Sequence, residues 1–270
     1  QLINMFGRLT PTVKYILIAN VGIFVLQSLL NLPLSSWLGL RVVFSDQFAL
    51  HQFITYMWIH ANFSHLLGNM FAVFVFGPLL EQTFGQKNFL IFYLACGIGA
   101  GMLFGGANFI EQYQLKADTE TYLSNPNPDD FSLFISEHKS RRFNLQGLAE
   151  LSDGYYENPQ DPDYIKQTMS AVTQIFDLKT NIPMVGASGA VYGILMAFAM
   201  LFPNLQLMLL FPPIPIRAKY LVFIYGAIEL YSELNRSEGD NVAHLAHLSG
   251  MLIAFILIRI WTNNKTIKPY

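Results

Sequence analysis

The chain is 270 residues long, 53% hydrophobic with 23 Phe, only 13% charged, and has a formal net charge of -2 at pH 7. So apolar a composition, with a positive mean hydropathy, is wrong for an ordinary soluble domain and indicates an all-α polytopic membrane protein. The charge balance offers no basic surface for nucleic acid, and a single cysteine, Cys96, excludes both a disulfide framework and a cysteine metal site.

In chain order, Arg8 and Lys14 precede the first apolar stretch, residues 15–32. Basic residues before an apolar run also mark secretory signal peptides. Here no A-x-A-like cleavage site follows, and a stretch of this length suits a spanning helix, so a retained first transmembrane helix is expected. Six segments can cover about 30 Å of hydrocarbon or most of it; they lie at roughly 13–32, 64–81, 88–107, 186–202, 218–234 and 243–261. Arg8, Lys14, Lys87, Arg217, Lys219, Arg259, Lys265 and Lys268 fall at the two termini, the 2–3 connection or the 4–5 connection. The positive-inside rule then predicts that both termini are cytoplasmic. The 5–6 connection, with Glu233, Glu238 and Asp240 against Arg236, agrees with an outer position.

Residues 109–183, between segments three and four, differ in character. Acidic residues outnumber basic ones two to one, and turn-rich runs occupy 124–130 and 157–163. Apolar residues at mixed three and four spacing over 131–151 and 164–178 predict short amphipathic helices. The expected organisation is therefore core segments one to three over 1–108, an extracytoplasmic insertion over 109–183, and core segments four to six over 184–270. The proline-rich connection 211–217 is expected to be a turn or short extended loop, because proline removes donors and clashes with preceding carbonyls in a helix.

Polar groups within the apolar segments are the candidates for chemistry, since lipid makes them costly. Ser188 opens segment four between Gly186 and Gly189, where the backbone can bend and approach other groups closely. Unpaired N–H groups and the positive dipole end at a helix start can stabilise an oxyanion. A packing role is compatible with this chemistry, because Gly189, Gly193 and Ala197 recur every fourth residue, as helix contacts in membranes do. Segment six offers His244 and His247, and the small residues Gly250 and Ala254 define a close-contact face on which His247 lies one turn earlier. His247 is thus the expected base and His244 an interfacial or hydrogen-bonded histidine. His65 and Asn69 share a face of segment two. Both can donate hydrogen bonds without carrying charge, which suits an oxyanion hole, although such pairs also join helices.

Together these motifs resemble the rhomboid intramembrane serine proteases. Gly186-Ala187-Ser188-Gly189 is similar to their nucleophile motif, and Tyr192 to the tyrosine one turn later that packs on the catalytic histidine. His247-Leu248-Ser249-Gly250 resembles their His-x-x-Gly, and His65-x-x-x-Asn69 their second-helix pair. The resemblance covers nearly the whole chain outside 109–183. It implies a six-transmembrane-helix rhomboid bundle with a Ser188–His247 dyad, and oxyanion donors from the Ser188 N–H, His65 and Asn69. The implied activity is hydrolysis, with no cofactor or metal, of peptide bonds in transmembrane protein substrates near the outer ends of their helices. A multi-pass protein of the lipid bilayer follows, with a bacterial inner membrane as the expected location. No Asp occurs in the six segments and Glu229 falls in segment five, so the orientation of His247 is assigned to packing on Tyr192.

Two features depart from the family pattern: His51-Gln52 stands where many members have Trp-Arg, and the 109–183 region is long. Two other readings remain open. One is a catalytically inactive rhomboid-like protein that binds membrane clients, which would be expected to lose the serine or the histidine. The other is a metal or haem protein using His60, His65, His244 and His247, against which the lack of an H-E-x-x-H pattern speaks.

Overall fold

The computed structural model describes residues 9–138, 143–208, 213–235 and 242–267. Arg8, Arg236, Glu238, Asp240, Lys268 and residues 211–212, on which parts of the topology and connection readings rest, lie outside the described residues.

Helix α1 spans Pro11–Leu29 and begins with proline in its first turn, where the missing N–H costs nothing. Its start is capped from another helix. The buried Glu81 carboxylate accepts the Thr12 and Val13 N–H groups at 2.9 Å each and the Thr10 hydroxyl at 2.5 Å. Those N–H groups have no partner within α1. Glu81 belongs to α2, Phe63–Phe84, whose own start is capped by the Asn62 side chain accepting the His65 N–H at 2.9 Å. The chain then turns on Gly85, at φ 77°, a conformation that glycine adopts without steric cost. Helix α3 starts at once and runs 39 residues, Gln86–Ser124.

At 1.5 Å per residue α3 is roughly 58 Å long, about twice a hydrocarbon layer of about 30 Å. The sequence boundary near 108 therefore corresponds to no break in conformation. Composition turns polar there, but residues 109–124 are rich in Glu, Gln, Lys, Leu and Ala and contain neither Gly nor Pro, so helix propensity carries across.

Three further helices follow: α4, Pro128–His138, α5, Leu145–Glu157, and α6, Pro162–Thr180. The stretch read as amphipathic over 131–151 holds most of α4 and the first part of α5, with Asn144 capping the second by accepting the Gly147 N–H at 3.0 Å. With the end of α3 they enclose a hydrophobic cluster of their own, including Leu115, Tyr122, Phe131, Phe134, Tyr155, Val172 and Ile175. The larger cluster joins α1, α2 and the first part of α3 to α7, Ser188–Leu201, and α9, His244–Asn263. Helix α8, Ala218–Leu234, packs beside α7 and α9 through Val222.

Between α7 and α8 the proline-rich connection contains a two-stranded hairpin, β1 (Gln206–Met208) antiparallel to β2 (Pro215–Arg217), with Leu207 opposite Ile216. Among the described residues, α1, α2, α3 and α9 are long and apolar enough to cross a membrane. Helix α7 is equally apolar but shorter, at 14 residues. The molecule is a mostly helical membrane protein.

Candidate active site

The segment entering α7 is fixed by backbone pairing with the loop after α1. Leu40 and Met184 exchange N–H···O bonds of 2.9 and 2.8 Å, and the Gly186 N–H donates to the Tyr56 carbonyl at 2.9 Å. Gly186 has φ 120°, which strains any residue with a Cβ. A Cβ there would also lie 2.5 Å from Cε1 and 2.6 Å from Nε2 of His65. Both constraints demand glycine, and the same contact shows that His65 stands directly over the residue two before Ser188.

The loop after α1 is tied together by its own polar residues. Gln52 is buried, accepts the Arg41 N–H through Oε1 at 3.2 Å and donates through Nε2 to the Gln47 carbonyl at 2.8 Å. The Arg41 guanidinium donates to the carbonyls of Ser36 and Asn181, and Ser45 donates to the Asn181 side chain. The His51 ring reaches the Trp37 carbonyl through Nε2, at 3.4 Å. Gln52 thus organises the loop that braces the approach to α7.

Ser188 is the first residue of α7 and is partly exposed. Its Oγ lies 2.8 Å from Nε2 of His247, which α9 supplies from its first turn. The two helices touch almost backbone to backbone: a Cβ on Gly250 would overlap the Gly189 carbonyl oxygen, and one on Gly193 would stand 2.7 Å from Cys96 Sγ on α3. A Cβ on Gly189 would lie 2.6 Å from that of Ala100. Small residues therefore close the contact that brings the serine and the histidine within hydrogen-bond reach, so the packing stripe and the Ser–His contact are one feature. The Tyr192 ring stacks on the His247 ring, centroids 4.2 Å apart and planes 8° from parallel.

Asn69 is buried on α2 one turn beyond His65, and its Nδ2 has no hydrogen-bond partner among the described residues. A buried amide donor without a partner is costly. An incoming oxygen would satisfy it.

The arrangement adds a residue to the set expected from the sequence. Glu229, buried on α8, accepts from Nδ1 of His247 at 2.9 Å and from Nδ1 of His244 at 2.5 Å through Oε2, and from the Tyr192 hydroxyl through Oε1. Packing on Tyr192 is therefore only part of what orients His247. A carboxylate in an apolar helix needs a partner, so the sequence marked Glu229 as a group to be paired without saying with which residue. His244 is buried and hydrogen-bonded to Glu229, the second of the two roles expected of it.

The four histidines of the metal or haem reading do not converge. His60 pairs with His65, ring centroids 5.1 Å apart, and His244 with His247 at 6.2 Å. Among the described residues, the ligand groups that do converge are Glu229 with His244 and His247, and Asp118 with Glu137 and His138.

The Rhomboid domain family model matches residues 47–110 and 165–264, more than half of the chain. The chain belongs to the rhomboid family. The two matched stretches contain α2, the first part of α3, most of α6 and α7 to α9, and leave out 111–164. Among similar rhomboid proteins, "RHOMBOID-like protein 12, mitochondrial" of Arabidopsis thaliana is 25% identical over 246 residues, 89% of this chain and 55% of the relative. "RHOMBOID-like protein 6, mitochondrial" of the same organism is 48% identical over 50 residues, 18% of this chain and 16% of the relative. "Putative rhomboid protease YdcA" of Bacillus subtilis (strain 168) is 33% identical over 99 residues, 34% of this chain and 48% of the relative. The chain thus spans about half or less of the length of these rhomboid relatives.

Proposed function

We propose that this rhomboid protein is an intramembrane serine endopeptidase that cleaves transmembrane protein substrates through Ser188 and His247. The observation that carries the reading is the 2.8 Å contact of Ser188 Oγ with His247 Nε2 at the start of an apolar helix. The Bacillus subtilis relative carries the word protease in its name.

His247 Nε2 takes the Ser188 proton as Oγ bonds to the substrate carbonyl carbon, then returns it to the departing amine when the C–N bond breaks. Water hydrolyses the resulting acyl-enzyme by the same proton route. The oxyanion of each tetrahedral intermediate accepts from the Ser188 N–H at the helix start, the Asn69 amide and the His65 ring. None of these donors carries a fixed charge. That keeps the resting site affordable in an apolar setting.

In this reading α1, α2, the first part of α3, α7, α8 and α9 are the six spans, and both termini lie on the cytoplasmic side of a bacterial inner membrane. The distribution of Lys and Arg supports the orientation. Helix α7 is about 21 Å long against roughly 30 Å of hydrocarbon, too short to span it fully, and in this reading the Ser188 end is the one recessed below the outer surface. A substrate helix must unwind to reach it. Residues 109–183 form an extracytoplasmic insertion beside that opening and select what enters. Deleting α4 to α6 while retaining the bundle tests this role: altered preference among substrates is expected, and unchanged cleavage of every native substrate would remove it.

The activity is tested by reconstituting the protein in liposomes with a single-span reporter and comparing wild type with Ser188→Ala and His247→Ala. Cleavage by wild type alone is expected, with fluorophosphonate labelling at Ser188. Equal behaviour of all three would sink the reading in favour of a protein that binds membrane clients without cutting them.

A further inference from the structure

We propose that Glu229 is a positioning residue for His247, turning the serine–histidine pair into a Ser188–His247–Glu229 relay. The inference rests on the protease reading above and extends it to a residue outside the pair.

The serine and the carboxylate occupy opposite nitrogens of one ring: Ser188 Oγ is 2.8 Å from Nε2 and Glu229 Oε2 is 2.9 Å from Nδ1. A carboxylate can only accept, so Nδ1 carries the hydrogen and Nε2 keeps its lone pair facing the hydroxyl. That is the tautomer a general base needs. When Nε2 takes the serine proton, the imidazolium stands beside a carboxylate that neutralises it. Nδ1–H stays on the ring, Glu229 stays ionised, and the same proton later leaves from Nε2 to the amine, so the charge on Glu229 is unchanged through the cycle.

Glu229 is itself held. The Tyr192 hydroxyl occupies Oε1 and His244 Nδ1 shares Oε2, so α7, α8 and α9 all contribute to one polar cluster. Tyr192 acts twice, its ring fixing the plane of His247 and its hydroxyl fixing the carboxylate that sets the in-plane rotation. A purely structural carboxylate would be satisfied by His244 and Tyr192. The third bond, to the ring that also holds Ser188, is the one with a chemical consequence.

The same three groups offer a metal-ligand set, but their spacing argues for protons. Oε2 lies 2.5 and 2.9 Å from the two imidazole nitrogens, which are hydrogen-bond lengths. Ligands about 2.0–2.2 Å from a tetrahedral zinc stand roughly 3.4 Å from one another.

The titratable groups around His247 are Glu229 and, near Tyr192, Tyr225 on α8, His244 on its own helix, Tyr192 on α7 and His65 on α2. Of these, Glu229 is the anion on the ring. Removing its charge leaves the imidazolium of the transition state without its counter-ion, so the loss falls on kcat and not on KM.

The test uses the full chain in liposomes with the single-span reporter. Glu229→Gln is expected to lower kcat by about 10²- to 10⁴-fold with KM nearly unchanged. Glu229→Asp, which restores the charge, is expected to recover part of the lost kcat. A Glu229→Gln enzyme with wild-type kcat, alongside inactive Ser188→Ala and His247→Ala, would overturn the relay and leave the protease reading standing. If Glu229→Gln lowers thermal stability enough to unfold, Glu229→Asp decides: a folded Glu229→Asp enzyme in which KM rises while kcat keeps its wild-type value counts against the relay, because a displaced carboxylate should act on kcat. Activity lost to a chelator and restored by zinc would overturn it too. Wild type indistinguishable from Ser188→Ala and His247→Ala would instead remove the protease reading itself.

Discussion

Helices α4 to α6 and the bundle around α7 place their polar groups in opposite ways. In the first region most of the polar groups that organise structure, the buried Thr168 apart, sit at helix ends: Asp129 and Asp130 in the first turn of α4, Asn144 before α5, Asp161 before α6 and Lys179 in its last turn. There they satisfy N–H groups or complement the helix dipole, as water-exposed helices require. The buried centre is aromatic, with Tyr122 and Tyr155 flanking Phe131. In the bundle, Asn69, Glu229, His244 and His247 are buried within helices, and glycines at the α7–α9 contact bring backbones together. Where water reaches helix ends, a polar residue reports on local structure. Where it does not, a polar residue reports on a bond between helices or on chemistry.

The largest test of that contrast is Ser188→Ala, which should reduce cleavage of a single-span reporter by about 10⁴-fold or more while the thermal transition of the protein is unchanged. Asn69→Ala comes next. It removes a donor that has no partner among the described residues, so a loss of about 10²- to 10³-fold in kcat is expected with little effect on stability, and a stability loss with unchanged kcat would make Asn69 a packing residue. Gly250→Ala probes the close contact: overpacking costs about 1–3 kcal/mol, read as a lowered transition temperature together with weaker fluorophosphonate labelling. The smallest effect belongs to the other region. Tyr122→Phe removes a 2.6 Å bond to Thr168, whose hydroxyl keeps its bonds to the carbonyls of Tyr164 and Ile165. The expected cost is about 1 kcal/mol, seen in hydrogen exchange of α6 and absent from the cleavage rate.

The sequence made the apolar helices legible because length and composition suffice for them, and it made Ser188 and His247 legible as candidates because lipid leaves polar groups conspicuous. It was silent on three points. The continuation of α3 was hidden because a change of composition is not a change of conformation: residues 109–124 turn polar yet keep strong helix formers. The relation of Glu229 to His247 was hidden because it joins α8 to α9 in space, 18 residues apart, and no motif spans it. The pairing of Leu40 with Met184 and of Gly186 with Tyr56 is backbone bonding between distant segments, to which side-chain patterns give no access. Gly186 was legible only as a permissive residue; its positive φ and the His65 ring above it are facts of the folded state.

Because α3 is unbroken from Gln86 to Ser124, it is mechanically a lever. One half is packed into the bundle against α7 and α9, and the other half carries the cluster built by α4 to α6. For a rod of roughly 58 Å, a change of tilt of about 10° displaces the far end sideways by about 10 Å. Small adjustments of tilt to hydrocarbon thickness are therefore magnified in the position of α4 to α6, without any hinge between the two regions.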